Sequence, residues 1–108
     1  MQTLTFEIIP TEILYEPDLT RSEVAKELGI STKTVERYIK LGALYIADLQ
    51  KYITGDISLM DTSELQLNGT RLLSSDLVYL EEIKDLKSRF APQRVEQILA
   101  RKYQTIAE

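Results

Sequence analysis

Leu4, Phe6 and Ile8 alternate with Thr3, Thr5 and Glu7, the two-residue period of a half-buried strand over 3–9. Pro10 and Thr11 break that pattern, residues 12–15 (EILY) offer a second short strand, and Pro17 closes the segment. The period then turns helical. Val24, Ala25 and Leu28 share one face, and so do Val35, Tyr38 and Ile39, spaced by three and four. Leu49, Tyr52 and Ile53 give a further short helical pattern within 47–54. Residues 57–73 read as extended, with Ile57 and Leu59 alternating and Leu65 and Leu67 doing the same. Two longer helical stripes follow: Leu77, Leu80, Ile83 and Leu86, then Val95, Ile98, Leu99, Tyr103 and Ile106.

Local signals bound these elements. Thr20 and Glu23 have the capping-box form, in which each side chain bonds the other's backbone N–H. Gly29 stops the first helix, Ser31 caps the second, and Gly42 is expected to end it. Asn68-Gly69 is a strong two-residue hairpin signal, with 70–73 as the returning strand. Ser74 or Ser75 is expected to cap a helix running to about Phe90, and Pro92 suits the first position of the last one. The expected fold is mainly α with a small β-hairpin wing, preceded by an N-terminal β-strand. Residues 1–19 are read as a strand segment and 20–108 as the compact body around one core.

Composition narrows the chemistry. With no Cys and no His, disulfides, thiolate nucleophiles, ordinary zinc sites and histidine acid–base catalysis all drop out. No cofactor or metal is expected. Ser74-Ser75-Asp76 and Glu81-Glu82 lack a His or Cys partner, so an enzyme is not expected. No apolar run approaches a membrane span and no secretory signal opens the chain, which points to the cytoplasm. The formal charge of -4 is unevenly spread. Glu7, Glu12, Glu16 and Asp18 make residues 1–19 purely acidic, and Asp56, Asp61 and Glu64 do the same for 55–70. Bases outnumber acids in 20–54 and in 71–108. The acidic zones are poor candidates to face phosphate.

The helical pair lies in a basic zone, and its spacing is informative. Counting from Arg21, Ala25 is fifth, Gly29 ninth and Val35 fifteenth. Ala25 is small where a second helix must cross, Gly29 sits where positive φ is easy, and Val24, Leu28, Ile30 and Val35 fill the angle between the rods. This is the helix-turn-helix requirement, in which the second helix stands clear enough to enter a major groove. Thr32, Lys33, Thr34, Arg37 and Lys40 lie on or near its outer side, able to neutralise phosphates or bond base edges. Arg21, at the head of the first helix, joins them as a candidate DNA contact. Glu36 reads as a solvated residue, an ion pair with Lys33 or Lys40, or an acceptor for cytosine.

The stretch STKTVERYIKLGAL (31–44) resembles the recognition helix and exit of MerR-type winged-helix regulators, whose pattern is roughly S-x-R-T-L-R-Y-Y-E-x-x-G-L-L. The stretch NGTRLLSSDLVYLEEIKDLKSRFAPQRVEQIL (68–99) is similar to that family's wing tip and the helices after it. The resemblance implies a winged helix-turn-helix that binds double-stranded DNA, with Tyr38 on phosphate and Arg71 at the wing tip gripping phosphate or reaching the minor groove. Leu72 and Leu73 stand where the family has a second Arg and a Tyr, and residues 45–64 are an insertion. The long dimerising coiled coil and the effector region beyond it are not expected, nor are metal- or thiol-sensing ligands. No small-molecule effector is evident.

One helix in one groove gives modest affinity, so a homodimer on a pseudo-palindromic promoter site is expected, acting as a repressor by occlusion. Leu4, Phe6 and Ile8 would supply the dimerising edge, with the last helix as the other candidate. An excisionase-like protein that bends DNA, and a protein-interaction adaptor built on the same scaffold, are the competing readings.

Overall fold

A computed structural model describes residues 18–69 and 71–104. The expected strand over 3–9, with Leu4, Phe6 and Ile8, lies outside the described residues, as does Ile106. The order is β1 (Asp18–Thr20), α1 (Arg21–Leu28), α2 (Thr32–Ala43), a 3-10 helix (Ala47–Tyr52), β2 (Ile53–Thr54), 3-10 turns at Ile57–Leu59 and Thr62–Glu64, β3 (Gln66–Leu67), β4 (Arg71–Leu73), a 3-10 turn (Ser74–Asp76), α3 (Leu77–Arg89) and α4 (Pro92–Tyr103).

The caps of the helical pair form as the residues dictate. Thr20 Oγ1 accepts from the Glu23 amide at 3.1 Å, and Glu23 Oε1 accepts from the Thr20 amide at 2.8 Å. Gly29 takes the left-handed conformation, φ 71°, and its N–H closes the C-terminus of α1 on Ala25 and Lys26 carbonyls. Lys84 of α3 donates its ammonium to the Leu28 carbonyl at 2.7 Å, a cation at the negative end of α1. Ser31 caps α2 by accepting from the Thr34 amide at 3.1 Å. Pro92 occupies the first turn of α4.

Val24, Val35, Leu49, Leu80, Ile83, Val95 and Leu99 are fully buried, so every helix contributes to one core. Gly42 does not end α2. The helix runs through it to Ala43, and Gly42 is buried where a Cβ would stand 2.4 Å from Leu49 Cδ1 and 3.0 Å from Ile83 Cδ1. Its role is close approach rather than backbone freedom. Gln50 and Gln104 cap the exit of the helix, donating to the Ala43 and Leu44 carbonyls at 3.0 and 2.8 Å.

The 57–73 region departs from the extended reading. Asp56 and Asp61 each accept from the amide and hydroxyl of the serine two residues on, which winds 57–59 and 62–64 into 3-10 turns. The strands flanking Asn68-Gly69 also do not pair with each other. β3 pairs antiparallel with β2, Ile53 opposite Leu67, and β4 pairs antiparallel with β1, Leu19 opposite Leu72. The β1 strand at 18–20 carries too short a pattern to read from the sequence, and it ties Asp18 and Leu19 to the body of the fold.

Tyr52 explains the crossed pairing. Its carbonyl accepts from the Asn68 amide at 2.6 Å, and its hydroxyl accepts from the Leu73 amide at 2.9 Å. The same hydroxyl donates to the buried Asp76 at 2.5 Å, and Lys51 Nζ lies 3.0 Å from that carboxylate. One residue thus anchors both sides of the turn to the inserted 3-10 helix, through its carbonyl on the Asn68 side and its hydroxyl on the Leu73 side. The expected serine cap of the next helix is replaced by the 3-10 lead-in Ser74–Asp76, from which α3 starts without a side-chain cap.

Candidate nucleic-acid interface

α2 rests on α1 through Val35 and Ile39, which meet Val24, Ala25 and Leu28 in the core. That contact sets which residues α2 turns outward. Thr32, Lys33 and Arg37 are exposed, while Thr34, Glu36 and Lys40 are half-buried. Lys33, Arg37 and Lys40 recur at four and three, which keeps them on one side of the rod. None of the three forms an ion pair among the described residues. Lys40 lies in the last turn, where a cation also offsets the helix dipole.

Glu36 is paired, but with Arg21 rather than with a lysine of its own helix. Arg21 Nη1 stands 3.3 Å from Glu36 Oε2, and Nη2 donates to the Gly69 carbonyl at the turn. Arg21 therefore bridges α1, α2 and the wing tip. No local sequence signal marks this clamp, because its members are 15 and 48 residues apart. Arg71, on β4 opposite Thr20, is exposed and close enough to Glu23 to draw on its charge. Bonding from the Thr20 amide and hydroxyl, more than Arg71, holds the Glu23 carboxyl below its ordinary range. Leu72 is 2% exposed, so the residue standing in place of the family's second wing arginine belongs to the core.

Tyr38 is 8% exposed, and burial pushes its phenol up from its ordinary value. Its hydroxyl makes no hydrogen bond among the described residues, yet no buried side-chain oxygen is left unsatisfied there. The ring is core and its tip is open to solvent. The tip opens into a groove of about 550 Å³ between α2, the 60–62 loop and the facing ends of α3 and α4. Lys87 reaches the same groove as Arg37, fifty positions away along the chain, and sequence periodicity gave it no special place.

Residues 1–41 match the model of a winged helix-turn-helix DNA-binding family. The helix pair and its crossed strands have that architecture. The match takes in β1, α1, the turn and α2 as far as Leu41, and does not extend to the wing. No curated protein and no solved structure is significantly similar to the chain. Winged helix-turn-helix domains are ordinarily DNA readers rather than catalysts. No described helix is long and apolar enough to cross a membrane.

Proposed function

We propose that the chain is a transcriptional regulator that reads double-stranded DNA with α2, the MerR-like reading of the sequence. The observation that carries this is the cationic side of α2, unpaired among the described residues: Lys33 and Arg37 exposed on a helix whose opposite side is seated on α1. In this reading Thr32 and Thr34 bond backbone or base edges near the helix start, Lys33 and Arg37 reach into the groove, and Lys40 and Arg71 neutralise flanking phosphates. Tyr38 offers its open hydroxyl to the same backbone. Arg21 acts from behind, by orienting the wing tip and removing the Glu36 charge from the approach.

Two copies on a dyad-related site would double this small footprint, and repression by promoter occlusion needs no further module. Residues 4–8 are the proposed dimerising edge. The test is fluorescence anisotropy on fragments recovered from a genomic pull-down and footprinted. Arg37→Ala and Lys33→Ala should each weaken specific binding about tenfold or more, a loss of roughly 1–3 kcal/mol. Each should also relax sequence preference, whereas Lys40→Ala should flatten the salt dependence by about one phosphate contact. Unchanged affinity and unchanged sequence preference in both variants would refute the assignment.

A further inference from the structure

The groove beside α2 has a chemistry of its own. Leu41, Leu44, Met60 and Pro92 give it apolar wall, and Arg37, Lys87 and the Tyr38 hydroxyl give it polar groups. Its carboxylates have internal partners. Asp61 accepts from the Ser63 amide and hydroxyl at 3.0 and 2.7 Å, and Glu96 accepts from the Tyr45 hydroxyl at 2.7 Å. Thr34 is occupied as well, its Oγ1 lying 2.9 Å from Ser31 Oγ. Arg37, Lys87 and the nine-tenths buried Tyr38 have no such partner among the described residues. All three can donate: two are cations and the third is a phenol O–H. The unmet hydrogen-bonding capacity of the groove therefore calls for an oxyanion, and its wall calls for an apolar body attached to it. The size falls within the range of small-molecule sites.

We propose that this groove is a binding site for a small organic anion, a carboxylate or phosphate monoester on an aromatic or aliphatic body. The anion sits between Arg37 and Lys87 and accepts from Tyr38, while the body packs on Leu41, Leu44 and Met60. Duplex backbone is the weaker fit. It presents no apolar body to pack on Leu41, Leu44 and Met60. Arg37 and Tyr38 belong both to this groove and to the α2 surface assigned to DNA. Resting on that assignment, ligand and duplex would compete, each lowering the affinity for the other by the same factor.

Binding is tested first without DNA, by amide-resonance titration of the full chain with phenylacetate, phenyl phosphate, inorganic phosphate and neutral 2-phenylethanol. Ligands of this size should bind on the order of a millimolar. At least one of the two aromatic anions should saturate shifts at Leu41, Leu44, Met60 and Thr62, with the neutral alcohol at least tenfold weaker. The arm that binds more tightly identifies carboxylate or phosphate as the head group. Tyr38→Phe and Lys87→Gln should each weaken that anion about tenfold. Both variants should keep the wild-type melting temperature within a few degrees, because neither group has a bonding partner among the described residues.

Equal binding of the neutral alcohol, or no saturable shift with either aromatic anion, overturns the site. So does saturation by inorganic phosphate alone, with both variants losing duplex affinity in step; the groove then holds DNA backbone. Anion binding that survives Arg37→Ala unchanged overturns the proposed contact. Saturable anion binding without competition from duplex leaves the site standing and removes the DNA-facing roles of Arg37 and Tyr38, so the two readings fail separately.

Discussion

Removing one oxygen at Tyr52 should cost more than any surface change in this molecule. Tyr52→Phe keeps the ring, 8% exposed, and deletes the hydroxyl that serves Asp76 at 2.5 Å and the Leu73 amide at 2.9 Å. Asp76 is 4% exposed and retains Lys51 at 3.0 Å, so its charge is not orphaned outright. A bond to a buried carboxylate contributes about 1.5–3 kcal/mol and a neutral amide bond about 1 kcal/mol, which together give about 3 kcal/mol. For a domain of this size that lowers the melting temperature by about 12–20 °C. The control is Tyr79→Phe, whose hydroxyl bonds the exposed Asp48 at 2.6 Å and which should cost less than about 1 kcal/mol. Urea denaturation of both variants, followed by circular dichroism, measures the difference. A loss below about 1 kcal/mol for Tyr52→Phe, or equal losses in the two variants, would show that the wing is not anchored through this hydroxyl. Hydrogen exchange supplies a second readout: the Leu73 amide should lose protection more than amides of α1.

Arg21→Met should keep α1 packed while releasing both the Glu36 carboxylate and the Gly69 carbonyl. About 1 kcal/mol of stability should go, exchange at Asn68 and Gly69 should quicken, and duplex affinity should fall without the change in salt slope that a direct phosphate contact would give. Alkali should destabilise the fold through its tyrosines. Burial first, then the Glu96 carboxylate, pushes the Tyr45 phenol well above its ordinary value of 10.0, and the bond to Asp48 carries Tyr79 to about 12. Folded values above the unfolded value mean that this stability is complete below about pH 10 and is lost as pH rises through the folded values. The urea midpoint should therefore hold between about pH 8 and 9.5 and drop above about 10.5, less steeply in Tyr45→Phe.

The helix-turn-helix was legible because its determinants are local. Thr20, Glu23, Gly29 and Ser31 each act within four residues, and the structure shows each in the role its position implies. Gly42 misled because a glycine near a helix end reads as a stop. Here the missing side chain makes room for Leu49 and Ile83, which only the tertiary fold brings there. Asn68-Gly69 misled for the same reason at longer range. The dipeptide favours a tight turn and says nothing about which strands the flanking residues join. Tyr52 and β1 decide that from positions 16 or more residues away and about fifty residues away. Asp56 and Asp61 overrode the alternating pattern of 57–59 through short side-chain bonds that were open to a closer reading of the Asp-x-Ser spacing.

Of the candidate DNA contacts on α2, Thr32, Lys33, Thr34, Arg37 and Lys40 came from helical period and Tyr38 from the family resemblance, and the structure leaves Lys33 and Arg37 exposed. Arg21 shows what a period does not carry. It looked like one more cation at the edge of a basic zone, but its guanidinium is divided between Glu36 and the Gly69 carbonyl. That division has two electrostatic effects. It cancels the single carboxylate on the side of α2 nearest the wing, leaving Lys33, Arg37 and Lys40 as the uncompensated charges of the helix among the described residues. It also fixes the distance between α2 and the turn through a rigid, forked donor, which a lysine ammonium would do less well. A chain with a formal charge of -4 can present a cationic rod to a polyanion only if its acids are held elsewhere or paired. Arg21 does the pairing, so its contribution to DNA affinity is expected to come through the geometry and net charge of α2 rather than through a phosphate of its own.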